Sequence, residues 1–293
     1  MDHSVQILSL PSGLDVNVQI QETGPPILLV HGFPLDHTMW HMQVGRLGRH
    51  CRMIAPDLRG FGRSHDLGRK PTLEAADETD FAVGSSAMVM TMEQYADDLA
   101  AVLEAANVTE PVTLIGLSMG GYIAWQFWRR HRDRLHSLVL CDTRAAADSE
   151  ETRKGRLENA ERVLREGTEF LVEQMLPKVM SSYSRARQPL LTAEVRRAMV
   201  KATPAGVAAA LLGMAQRPDM TAELSKIDVP TLVLVGSDDI ISPPDEMRGI
   251  AEKIPGAIFE IIPKAGHLAP LESPTAANHA IEVFLKKIGR IPK

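Results

Sequence analysis

Short, nearly continuous apolar runs recur along the chain: Ile27–Val30, Cys51–Ala55, Val112–Leu117, Leu138–Cys141, Thr231–Val235 and Ile258–Ile262. Runs of this length suit strands covered on both faces, as in a parallel sheet. Two earlier segments, Val5–Leu8 and Val16–Gln21, alternate only in part and are separated by the turn Pro11-Ser12-Gly13. They predict an antiparallel hairpin at a sheet edge. Amphipathic stretches lie between most of the runs. Met92–Ala106 sets Tyr95, Leu99, Val102 and Leu103 at helical spacing, and Gly120–Arg130 and Pro244–Lys253 are further helices. Strands alternating with helices predict an α/β architecture: a mostly parallel, eight-stranded sheet with helices on both faces.

Two segments break the alternation. Residues 65–91 are polar, with Glu74, Asp77, Glu78 and Asp80 in the middle and Gly84-Ser85-Ser86 near the end. A connection this long is read as a surface loop, with an active-site lid as the alternative. Residues 144–225 are rich in Ala, Glu, Arg, Leu and Met and contain no strand-like run. They predict a helical cap inserted into a core domain of residues 1–143 and 226–293. The cap has an apolar face of its own in Leu164, Phe170, Leu171, Met175 and Leu176, and later in Leu211, Leu212 and Met214.

Composition narrows the function classes. A net charge of −5 with charges of mixed sign argues against a nucleic-acid surface and for a solvated exterior. No run reaches the roughly 18 apolar residues that a membrane span needs. The first ten residues lack the basic and apolar regions of a signal peptide, which predicts a cytoplasmic protein. The two cysteines, Cys51 and Cys141, sit inside apolar runs and imply buried free thiols rather than a disulfide framework.

The strongest chemical signal is Gly116-Leu117-Ser118-Met119-Gly120-Gly121, which ends one predicted strand and opens a helix. A nucleophilic serine needs a sharp strand-to-helix turn that lifts its Oγ above the sheet. Small residues two positions to either side allow that turn. The helix N-terminus behind Ser118 also favours developing negative charge. His31-Gly32-Phe33-Pro34 follows the run Ile27–Val30, where an acyl-transfer site would place a second oxyanion donor. The candidate donors are the N–H groups of Phe33 and of Met119, the residue after the serine. Among the ten histidines, His267 in Ala265-Gly266-His267-Leu268 follows the last predicted strand and suits the general base. His31 is read as ordering the oxyanion loop, and His37 and His41 as solvated. The orienting acid has two candidates at strand ends, Asp142 and Asp239, and the order Ser, Asp, His allows either.

The stretches HGFPLDHTMW, IAPDLRGFGRS, YADDLAAVL, GLSMGGYIA, LVLVGSDDIISPP and AGHLAPLESP resemble the α/β-hydrolase superfamily over residues 25–288. They are similar to its esterase, 3-oxoadipate enol-lactonase and cofactor-free haloperoxidase members. The resemblance implies that the acid lies four residues before the proline of a DxxxP segment, which is Asp239 before Pro243. It implies the oxyanion positions Phe33 and Met119, and a structural turn at Asp57-Leu58-Arg59-Gly60. Two departures stand out: residues 65–91 are longer than in typical members, and Leu-Ala-Pro follows His267.

The expected chemistry is hydrolysis of a small carboxylic ester or lactone through an acyl-enzyme on Ser118, with no metal or organic cofactor. Trp40 and His31 are candidates to line the substrate pocket. Arg144, Arg153, Arg156 and Arg162 are read as a solvated face rather than a site for a substrate carboxylate. Enol-lactone hydrolysis and carbon–carbon hydrolysis use the same triad. A ligand receptor of the same fold, with little turnover, is the alternative of another class. A monomer or homodimer is expected.

Overall fold

The computed structural model describes residues 4–65, 67 and 88–292. Its strands are β1 (Ser4–Ser9), β2 (Asp15–Gln21), β3 (Pro26–Val30), β4 (Arg52–Pro56), β5 (Val112–Leu117), β6 (Leu135–Cys141), β7 (Thr231–Gly236) and β8 (Ile258–Ile262). They form one sheet in the order β1-β2-β4-β3-β5-β6-β7-β8. β2 runs antiparallel to both β1 and β4, and the remaining pairs are parallel. The predicted hairpin is thus the sheet's first edge.

The apolar runs divide residue by residue between two cores, because successive strand side chains point to opposite faces. Leu28, Val30, Leu114, Leu138, Leu140, Val233 and Val235 face one core. Ile27, Leu29, Ile115, Leu117, Val139, Cys141, Leu232 and Leu234 face the other. The first core is closed by α2 (Met92–Ala105), α3 (Met119–Arg130) and α9 (Pro244–Lys253), through Tyr95, Leu99, Ile123, Phe127, Met247 and Ile250. The second is closed by α1 (His41–Leu47) and α11 (Pro274–Lys287), through Val44, Leu47, Ile281, Phe284 and Leu285. β8 departs from the expectation of burial on both faces: it has no strand beyond it, and Glu260 and Ile261 are exposed.

Between β6 and β7 the regular structure is helical: α4 (Glu150–Glu166), α5 (Glu169–Val179), α6 (Ser182–Arg187), α7 (Pro189–Lys201) and α8 (Pro204–Ala215). A short α10 (Ala269–Glu272) precedes α11. The predicted apolar face is only partly right. Leu164 is 47% exposed, whereas α8 is buried all round from Gly206 to Ala215. An all-apolar helix suits such a site. α8 packs on α4 and reaches the sheet domain, where the Met90 N–H donates to the Ala209 carbonyl and the Thr203 hydroxyl to the Gly60 carbonyl. Most of the expected loop or lid, residues 66 and 68–87, lies outside the described residues. Among the described residues no single helix is long and apolar enough to cross a membrane.

Candidate active site

Ser118 lies between β5 and α3 with φ 53° and ψ −111°, a left-handed conformation that side chains rarely adopt. The neighbouring glycines make the turn possible. A Cβ on Gly116 would strike the Gly120 carbonyl, and one on Gly120 would strike the Val30 carbonyl at the end of β3. The turn is held from the next strand. The Ser118 N–H donates to the Cys141 carbonyl at 2.9 Å, and the Thr143 hydroxyl donates to the Ser118 carbonyl at 2.8 Å.

His267 enters from the loop after β8. Its Nε2 lies 2.8 Å from Ser118 Oγ, and its Nδ1 lies 2.8 Å from Asp239 Oδ2. Asp239 stands just beyond β7 and is 3% exposed. Burial alone would raise its pKa, but His267, Ser242 and the Ile241 N–H together hold the carboxyl below its ordinary value. An ionised carboxylate can only accept, so Nδ1 carries the proton and Nε2 is left to accept from the serine hydroxyl. The arrangement can take a proton from Ser118 and hold the resulting imidazolium beside a fixed negative charge.

Asp142, the other strand-end acid, does not reach the histidine. It is fully buried with φ 47°, and its Oδ1 accepts the Gly236 N–H at 2.8 Å. Burial, and then the nearby Asp239 charge, push its pKa well above the ordinary value.

The N–H groups of Phe33 and Met119 have no acceptor among the described residues. Gly32 packs against the elbow, where a Cβ would stand 3.5 Å from that of Ser118. The loop carrying Phe33 therefore adjoins the serine, and Met119 opens α3, whose first N–H groups are free by helix geometry.

The two residues expected to line a substrate pocket do other work. Trp40 has no exposed surface and packs with the apolar residues of the second core. His31 is equally buried. Its Nε2 accepts the Leu58 N–H at 2.9 Å, which leaves Nδ1–H to donate to the Gly32 carbonyl at 3.0 Å. Burial lowers its pKa, in keeping with a neutral ring. It fastens the Phe33 loop to the loop after β4. His37 is not solvated as expected: it is 8% exposed, with Nδ1 2.6 Å from Asp57 Oδ1. Asp36, His37 and Asp57 are close enough to share a cation. Their atoms are already engaged, since the Asp57 oxygens also accept from Asn17 and Arg63, and Asp36 accepts from Thr38. Arg144, Arg156 and Arg162 are each paired, with Glu246, Asp148 and Glu166.

Two further side chains bear on the site. The Ser242 hydroxyl donates to Asp239 Oδ2 at 2.6 Å. Glu272 accepts the N–H groups of Gly266 and Leu268 on either side of His267. Position after a strand end marks Ser118, His267 and both Asp142 and Asp239 in the sequence, with the resemblance selecting Asp239, and neither Ser242 nor Glu272 carries that mark.

The chain matches the alpha/beta hydrolase fold family over residues 25–274. It is 26% identical to 3-oxoadipate enol-lactonase 1 of Acinetobacter baylyi, over 98% of each chain. Among solved structures it resembles a thermophilic esterase from Thermogutta terrifontis in its malate-bound form. That likeness has 43% identity and a TM-score of 0.86, covering 97% of this chain and 99% of the other. It also resembles the enol-lactonase of Burkholderia xenovorans LB400, at 26% identity and a TM-score of 0.82, over 96% and 100% of the two chains. With a strand order, an elbow serine and a family match that agree over most of its length, the chain belongs to the alpha/beta hydrolase fold family.

Proposed function

We propose that the protein is a serine hydrolase of small carboxylic esters, working through an acyl-enzyme on Ser118. One observation carries the reading: the unbroken hydrogen-bonded run from Asp239 through His267 to the Ser118 hydroxyl. His267 takes the serine proton as Oγ attacks the ester carbonyl, and the N–H groups of Phe33 and Met119 receive the oxyanion. His267 then returns the proton to the leaving alcohol, and water it activates hydrolyses the acyl-enzyme. Each oxyanion donor is worth roughly 10²–10³ in kcat in such sites. Helices α4–α8 serve as a cap, since Gly266, next to His267, packs on the Met180–Ser181 segment.

An ester is favoured by the 43% identity to an esterase over nearly the whole chain. Enol-lactone hydrolysis is the second reading, favoured by the likeness to two enol-lactonases. The pairing of Arg144, Arg156 and Arg162 with the protein's own carboxylates weighs against a substrate that needs those arginines. The test is steady-state hydrolysis of p-nitrophenyl esters from acetate to decanoate by wild type and Ser118→Ala. Serine-dependent turnover with a short-chain optimum is expected. No turnover by folded wild type would overturn the ester reading and favour enol-lactone or carbon–carbon hydrolysis or a ligand receptor.

A further inference from the structure

Glu272 takes no part in the run from Asp239 to Ser118, yet it is 4% exposed and every partner of its carboxyl group is a backbone N–H. Oε1 accepts from the Gly266 N–H at 2.9 Å and from the Leu268 N–H at 3.2 Å, the amides of the residues immediately before and after His267. Oε2 accepts from Ser181 at 2.9 Å, in the segment joining α5 to α6. One carboxyl group thus holds both sides of the base's backbone and a piece of the inserted helices.

The loop has further ties at its beginning, and at its end the Leu271 and Glu272 N–H groups donate to the Leu268 carbonyl. The Lys264 N–H donates to Ser237 Oγ, and the Asp238 N–H donates to the Ala265 carbonyl. On the far side the loop leans on the inserted helices so closely that a Cβ on Gly266 would stand 2.6 Å from the Ser181 nitrogen. No other side chain among the described residues bonds the N–H groups on both flanks of His267.

We propose that Glu272 is a positioning residue for the base. Its carboxyl group clamps the peptides around His267 and ties them to Met180–Ser181, so that Nε2 stays within hydrogen-bond reach of Ser118 Oγ. The proposal rests on the serine-hydrolase reading. Its physical basis is that a shift of about 1 Å in a reacting group costs on the order of 10²-fold in rate. Glutamine keeps the shape but has one acceptor atom and an NH₂ group. Either the Gly266–Leu268 pair or Ser181 then faces a donor.

The experiment compares wild type, Glu272→Gln and Glu272→Ala. It measures kcat, KM, the thermal midpoint, and the rate and stoichiometry of Ser118 labelling by a fluorophosphonate. In Glu272→Gln, kcat and the labelling rate per titrated site should fall together by about 10- to 100-fold, with KM within about twofold. A lower thermal midpoint with an unchanged rate per titrated site would overturn the proposal, because that is what a merely structural residue gives. A wild type that is not labelled at Ser118 would instead overturn the serine-hydrolase reading. If neither variant folds, amide exchange in wild type decides. Slow exchange at Gly266 and Leu268 supports the clamp, and exchange at the rate of free peptide overturns it.

Discussion

Asp57 and His37 meet in a buried contact of 2.6 Å that joins the loop after β4 to the loop carrying Phe33. Burial disfavours both charges, yet the pairing wins on each side. His37 is held above its ordinary pKa by the Asp57 carboxylate, and Asp57 is held below its own by His37 and by the His37 and Arg63 N–H groups. His37 therefore contributes fully below its unfolded value of roughly 6.5 and loses its contribution as pH rises through the folded value. Asp57 contributes fully above about 3.9 and loses its contribution as pH falls through its folded value. The pair stabilises most between about pH 4 and 6.5. Asp57→Ala should destabilise by about 3–5 kcal/mol in denaturant unfolding within that window, since it strands several buried donors. The deficit of His37→Gln should shrink toward pH 9. A loss below about 1 kcal/mol for Asp57→Ala, or no pH trend for His37→Gln, would contradict this role.

The two strand-end acids make opposite predictions. Asp239→Asn should cost roughly 10⁴-fold in kcat, because an amide no longer fixes the Nδ1–H tautomer of His267. Asp142→Asn should stay within about threefold of wild type in kcat, because Asp142 makes no hydrogen bond to His267 and the amide oxygen can still accept the Gly236 N–H. Burial holds the Asp142 carboxyl well above its ordinary pKa in the fold, whereas the unfolded chain releases that proton above about pH 3.9, so wild type loses stability as pH rises from there toward the folded value. Asparagine has no such proton. The stability of Asp142→Asn relative to wild type should therefore increase from pH 5 to pH 8, by at most about 1.4 kcal/mol per pH unit. Equal kinetic losses in the two variants, or a stability gap that narrows with pH, would refute the assignment.

Strain at Ser118 is testable on its own. With φ 53° and ψ −111°, the backbone adopts a conformation that suits glycine. Ser118→Gly and Ser118→Ala should both be inactive. The glycine variant should nevertheless be more stable than the alanine variant by about 1–3 kcal/mol in chemical denaturation. Equal stabilities would mean that the elbow stores no strain.

Two glycines in ordinary helical conformation should respond in opposite directions. Alanine at Gly120 drives a methyl group into the Val30 backbone and should cost about 1–3 kcal/mol as well as activity. Gly249, in α9, has open space where its Cβ would stand, and alanine there should stabilise by about 0.5–1 kcal/mol. Thermal midpoints moving the same way in both would argue against the close contact between α3 and β3.

Ser118 and His267 were legible in the sequence because their signals are local: an apolar run, then small residues or a loop, then a helix. The sheet was legible for the same reason, since each buried strand announces itself without reference to its neighbours. The choice between Asp142 and Asp239 rested on resemblance, because both follow strands. What separates them is distance beyond the strand. Asp142 follows β6 directly and turns back onto the Gly236 N–H, while Asp239 stands three residues past β7 and reaches His267. The Asp57 partner of His37, the Leu58 partner of His31 and the Ser181 partner of Glu272 lie far along the chain, and nothing local marks a histidine or glutamate as buried rather than solvated. The burial of Trp40 and the all-round burial of α8 likewise depend on what the fold lays over them.

In the proposed reaction Ser118 carries the acyl group during turnover. The most direct test is intact-protein and peptide mass spectrometry of enzyme quenched in acid during hydrolysis of p-nitrophenyl butyrate. A butyryl group is expected on the peptide containing Ser118, present in wild type and absent from Ser118→Ala. Steady turnover with no acyl group on Ser118, or the same turnover in Ser118→Ala, would contradict it.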